Sequence, residues 1–249
     1  MKKNYKIIPV ENNKYQLQVD GELIKLCRTD IVMETDQREL LEQIAEELDP
    51  ELYRLEDGDI YDQYVPYYFF LSKVLMESMD DSEGLFDEEH YHWLISCDPF
   101  FHLTPGSEQA VQRGTTAFAI EKLEKAGGLH TDLPLLMAMN EENMEDYRNN
   151  QDYYVEKDTA KIIRSFFTRL SPVRKGLFYQ LWSETQWSVW LPLLWLNDQC
   201  SDTEFARSTA VLLNLSPEFG LSKDEFEDTL AQYEILLDNC REFLTYFEK

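Results

Sequence analysis

The sequence predicts an α+β fold, predominantly helical, in which a small N-terminal antiparallel β sheet is followed by a helical bundle-like body. Three observations predict it. Apolar Tyr15, Leu17 and Val19 alternate with polar residues and run directly into Asp20-Gly21, a two-residue hairpin turn signal. Further along, apolar residues recur at steps of three and four, the spacing that lines one face of a helix. Nine Gly and nine Pro are few for 249 residues, which disfavours all-β architectures and their many turns.

Each element can be justified in order. "KIIPV", residues 6 to 10, reads as an edge strand, because Pro9 cannot donate to an interior ladder. "ELIKL", residues 22 to 26, is the return strand after Asp20-Gly21, and three such strands have one face to bury. A helix from Thr35 as N-cap places Leu40, Leu41, Ile44, Ala45 and Leu48 on one face to cover it, and Asp49-Pro50 ends it. The other face of that helix is almost entirely acidic. "VPYYFFLSKVLMESM" has the density of a buried helix with Pro66 in its first turn. A helix from Ser107 weakens at Gly114 and stops at Gly127-Gly128.

From Lys157 the periodicity sharpens, with Ile162, Ile163, Phe166, Phe167 and Leu170 on one face. "GLFYQLWSETQWSVWLPLLWLND" is apolar around most of its circumference and predicts a central buried helix kinked at Pro192, with Trp182, Trp187, Trp190 and Trp195 in the core. Ser201 with Glu204 and Ser222 with Glu225 are capping boxes. The last helix carries Phe226, Leu230, Tyr233, Leu237, Cys240, Leu244 and Phe247 as a seam for a bundle core. The expected organisation is residues 1–50 as sheet plus covering helix and 51–249 as helical body in one compact unit, with any subdivision at 140–155.

Composition narrows the function classes. A net charge of −25 repels nucleic-acid phosphates and anionic membranes, so neither is an expected partner. Residues 29–109 hold 22 acidic side chains against Arg38, Arg54 and Lys73, a local net of −19. Such a concentration fits a surface that docks on a basic partner protein, and Glu42, Glu46, Glu47, Asp57, Asp59, Asp62, Asp80, Asp81, Asp87, Glu88 and Glu89 are its candidate contacts. Cys27, Cys97, Cys200 and Cys240 form no close pair, and the N-terminus has no apolar signal core, so the chain reads as a soluble cytoplasmic protein with reduced thiols.

One stretch concentrates ligand-type residues: "EEHYHWLISCDPFFHLTPG", residues 88 to 106, with His90, His92, Cys97, Asp98 and His102. These five are the candidate set for a divalent metal, in a metal-binding protein or metal-dependent hydrolase. His90 and His92 converge only if the segment is a strand, since positions i and i+2 diverge on a helix. A Cys97 thiolate is disfavoured by Asp87, Glu88, Glu89 and Asp98 around it. No GxGxxG, GxxxxGK[ST], GxSxG or HExxH motif occurs, which moves weight away from an enzyme, and no other cofactor is expected.

"YQLQVDGELIKL" followed by "LLEQIAEELD" resembles the opening of the assembly chaperones for the alpha subunit of F1-ATPase, in which an Asp-Gly-Arg hairpin precedes a helix ending in Ala-x-Glu-Trp-Asp. Asp20-Gly21 and Ala45-x-Glu47-x-Asp49 match. Glu22 stands in place of the Arg and Leu48 in place of the Trp, and the Thr-Pro pair after the hairpin is missing. The resemblance implies a chaperone that holds a subunit of a larger complex. The leading expectation from the residues themselves is an acidic, non-enzymatic interaction protein of adaptor, inhibitor or immunity type, docking through residues 29–109.

Overall fold

The structure is a computed structural model and describes residues 4–48, 65–79, 86, 91–101, 108–127, 155–185, 188–214 and 222–248. The fold is α+β and predominantly helical, with the small antiparallel sheet at its start. Strands β1 (Tyr5–Pro9) and β2 (Tyr15–Val19) pair over their full length. On the far side of β2 lie β3 (Glu22–Leu23) at one end and β4 (Glu34–Thr35) at the other. Asp20 and Gly21 both take positive φ, 50° and 96°, the turn that their identities favour. Pro9 sits in the edge strand, as its missing N–H requires.

Two details of this region differ from the sequence reading. The return strand is short, because after Leu23 the chain bonds onward through Ile24 to Leu17 and then pairs Lys25 with Val32, bringing β4 alongside β2. Thr35 is not the helix cap. It is held in β4, and its hydroxyl accepts the N–H of Gln37, which occupies the cap position before α1 (Arg38–Glu47). Helix α1 packs on β1 and β2 with Leu40, Leu41, Ile44 and Ala45 buried.

Contacts divide the chain into two compact units. Met1–Met79, Pro172–Leu177 and Asp238–Lys249 form one; Asp80–Ser171 and Phe178–Leu237 form the other. In the first, α2 (Pro66–Met79) buries Tyr67, Phe70 and Leu71, and Tyr67 and Phe70 meet Phe243. Gly176 lies so close to α2 that an added Cβ would stand 2.5 Å from the Val74 Cα. Most of the proposed subdivision at 140–155 lies outside the described residues.

The second unit contains α3 (Tyr91–Ser96), α4 (Glu108–Lys125), α5 (Lys157–Thr168), most of α6 (Pro172–Glu184), α7 (Trp190–Leu196), α8 (Asp202–Asn214) and the first part of α9 (Lys223–Thr245). Phe86 is fully buried, stacked on Phe167 at 4.3 Å with Phe178 edge-on. The expected central helix is broken rather than kinked: α6 ends at Glu184 and α7 restarts at Trp190. The restart puts Pro192 in the first turn, where its missing N–H has no intrahelical partner to lose. Trp190 is fully buried and donates to the Ala119 carbonyl at 3.0 Å. Trp195 is also buried, Trp182 half-buried, and Trp187 lies outside the described residues.

Both capping boxes close in both directions. The Ser201 N–H donates to the Glu204 carboxylate at 2.8 Å and the Glu204 N–H to the Ser201 hydroxyl at 3.2 Å; Ser222 and Glu225 do the same at 2.8 and 3.4 Å. None of the four cysteines is in a disulfide. No helix among the described residues is long and apolar enough to cross a membrane.

Candidate functional site

Of the five candidate ligands, His90 and His102 lie outside the described residues. The other three lie on α3 and the turn that follows it. The segment around His92 is helical, so α3 carries the ring on one side and delivers Cys97 and Asp98 just past its end, before a 3-10 turn over Pro99–Phe101. The His92 Nε2 meets the Val155 carbonyl at 2.6 Å. Ser96 completes that tether, its hydroxyl accepting the Val155 N–H at 3.0 Å and donating to the His92 carbonyl at 2.8 Å. Arg164 fixes the same helix from α5, stacking over the Tyr91 ring and donating to the Phe86 carbonyl at 2.9 Å.

Asp98 is fully buried, and its carboxylate is occupied by protein donors. One oxygen accepts the Phe100 N–H at 2.8 Å. The other accepts the N–H groups of Val189 and Trp190, each at 2.7 Å, and the Ser188 hydroxyl at 3.3 Å. This joins the turn after α3 to the start of α7, which are some ninety residues apart in sequence. Burial pushes the Asp98 carboxyl up to about 6, against the hydrogen bonds, which favour the charged form. Cys97 is buried beside it. Among the described residues, no three His, Cys, Asp or Glu side chains converge as a metal would need.

The acidic candidates divide similarly. Asp57, Asp59, Asp62, Asp80, Asp81, Asp87, Glu88 and Glu89 lie outside the described residues. On α1, Glu46 is exposed, Glu42 pairs with Arg38 at 3.3 Å, and Glu47 is half-buried. Glu47 belongs to a carboxylate group whose other members, Glu39 and Glu242, are not among those candidates. Burial first, then a hydrogen bond to Glu242 and the charges of Glu242 and Glu47, raise the Tyr67 phenol well above its ordinary range. Burial, with the charges of Glu242, Glu39 and Glu47, raises Tyr246 as well. Glu242 comes from the end of α9 and Tyr246 from the turn just after it, far outside residues 29–109, and only the packing of this C-terminal segment within the first unit brings them to α1 and α2.

A second candidate region is the sheet edge. Among the described residues β1 is bordered on one side only, and no titratable pattern marks it. Pro9 in a strand was the available signal.

No family model and no curated protein sequence matches the chain. Two solved structures are similar to it over nearly its whole length. The crystal structure of Atp12 from Paracoccus denitrificans gives a TM-score of 0.55 at 12% identity, covering 97% of this chain and 95% of that one. A mutant of P. denitrificans Atp12p gives 0.53 at 12% identity, covering 97% and 94%. At this identity the likeness is one of fold.

Proposed function

We propose that this chain is an assembly chaperone of the Atp12 kind, which binds the unassembled alpha subunit of F1-ATPase in the cytoplasm and releases it on assembly. The observation that carries the reading is the likeness of fold to Atp12 over 97% of the chain. The hairpin and helix at Asp20-Gly21 and Ala45-x-Glu47-x-Asp49, which resemble the same chaperone family, support it independently. In this reading the protein is not an enzyme, and its work is to cover surface that the finished complex buries.

The acidic stretch 29–109 supplies the electrostatic part. Its net of −19 steers a basic face of the partner toward it, and Glu39 and Glu47, joined by Glu242, concentrate negative potential around Tyr67 and Tyr246. Such attraction raises the association rate and falls with ionic strength. The test is equilibrium binding of the purified protein to the isolated alpha subunit and, separately, to assembled F1, across a salt titration. Binding to the free subunit alone, weakening as salt rises, is the expected result. Equal binding to assembled F1, or none to the free subunit, overturns the reading, and salt-independent affinity removes its electrostatic half.

A further inference from the structure

Hydrogen-bond parity in the sheet decides what its open edge offers. The Asp20 N–H donates to the Asn4 carbonyl and the Val10 N–H to the Lys14 carbonyl, both at 2.9 Å, so the even-numbered residues of β1 bond inward to β2. The N–H and C=O groups of Tyr5 and Ile7, and the Pro9 carbonyl, therefore point away from β2. Leu17 confirms the alternation from the other side: it lies opposite Ile7, and its carbonyl accepts the Ile24 N–H beyond β2. Pro9 occupies a position whose N–H would face outward, so it removes no bond to β2 and ends the run of outward donors.

The side chains continue the pattern. Tyr5 and Ile7 stand opposite Val19 and Leu17, and Leu17 and Val19 are buried. Tyr5 is 38% exposed and Ile7 half-buried, so the apolar face runs out to the edge without being closed. A strand laid along β1 meets two complete pairs of main-chain groups and an apolar face already begun.

Charge selects the occupant. Asn4 to Val10 contains Lys6 and no acid, in a chain of net −25. On the outer side Lys6 falls at the closely spaced, non-bonded position, where the side chain directly across comes nearest. A second copy of β1 is a poor occupant, because the antiparallel register that pairs Tyr5 with Ile7 of each copy sets Lys6 against Lys6. Lys and Pro are devices that keep edges from self-pairing, and here they leave the edge open to a strand of opposite charge.

We infer that the outer edge of β1 receives an extended segment of the partner subunit as an added strand, apolar across from Tyr5 and Ile7 and acidic across from Lys6. The inference rests on the chaperone reading and names one of its contacts.

The test is residue-resolved amide hydrogen exchange on the full chain, alone and with the isolated alpha subunit. The Tyr5 and Ile7 amides exchange freely in the protein alone and slow by on the order of a hundredfold in the complex, whereas Lys6 and Ile8, bonded to β2, are protected in both. Lys6→Glu weakens the complex by roughly fivefold, the size of a cross-strand charge pair reversed. A complex that leaves Tyr5 and Ile7 exchange unchanged and ignores Lys6→Glu overturns this inference and leaves the chaperone reading standing. Failure of the unaltered protein to bind the subunit overturns both.

Discussion

The turn around Asp98 and the open edge of β1 use backbone N–H groups in opposite ways. Around Asp98 the N–H groups of Phe100, Val189 and Trp190 converge on one buried carboxylate, and the Ser188 hydroxyl joins them. Along β1 the N–H groups of Tyr5 and Ile7 face outward from the sheet. The first region holds the residue types that do chemistry and spends them on its own fold. The second has no buried titratable side chain, only an exposed Tyr5 and Lys6, and turns main-chain groups outward. Reactive side chains mark where chemistry is conceivable, whereas uncommitted polar groups mark where binding gains free energy.

Four perturbations sharpen or break that contrast. Asp98→Ala removes the acceptor and leaves three N–H groups and a hydroxyl buried without it, so urea unfolding should lose about 3–5 kcal/mol. A loss within error would mean the carboxylate holds nothing. Next in size is the pH dependence. The folded Asp98 carboxyl sits at about 6, above its ordinary value of 3.8, so its contribution is fully present below that ordinary value and is lost as pH rises through 6. Relative to Asp98→Asn, the unaltered protein should therefore lose on the order of 2–3 kcal/mol between pH 4 and pH 7. A flat difference between the two unfolding curves would contradict the burial argument.

Gly176→Ala tests packing with no polar group involved. Its Cβ meets the Val74 backbone at 2.5 Å, which cannot yield as a flexible side chain can. Thermal and urea unfolding should show a loss of about 1–3 kcal/mol. The smallest effect is Ser201→Ala, which opens one capping box and should cost about 1 kcal/mol with binding of the alpha subunit unchanged. A binding defect there would place part of the contact surface at the start of α8.

Much of the fold is legible in the sequence because local chemistry dictates it. Asp20-Gly21 specifies the hairpin, Pro9 the edge, and the Ser-x-x-Glu pairs the starts of α8 and α9. The break between α6 and α7 has no local signature, because Pro192 invites a kink within one helix, while restarting at Trp190, two residues before it, depends on what Asp98 can hold. That contact spans some ninety positions. The site was less legible for the same reason. His92, Cys97 and Asp98 are conspicuous as residue types, but whether they face a ligand or the chain's own backbone is set by Val155, Val189 and Trp190. Glu242 and Tyr246 gave no sign of joining Glu39 and Glu47, because nothing in α9 alone points to α1.

The most direct measurement of the central claim is refolding of denatured F1 alpha subunit, followed by light scattering, with and without an equimolar amount of this protein. Scattering should be suppressed and the subunit recovered in a one-to-one complex, which dissociates when the remaining F1 subunits are added. Scattering unchanged by the protein, or a complex that survives assembly of F1, would contradict it.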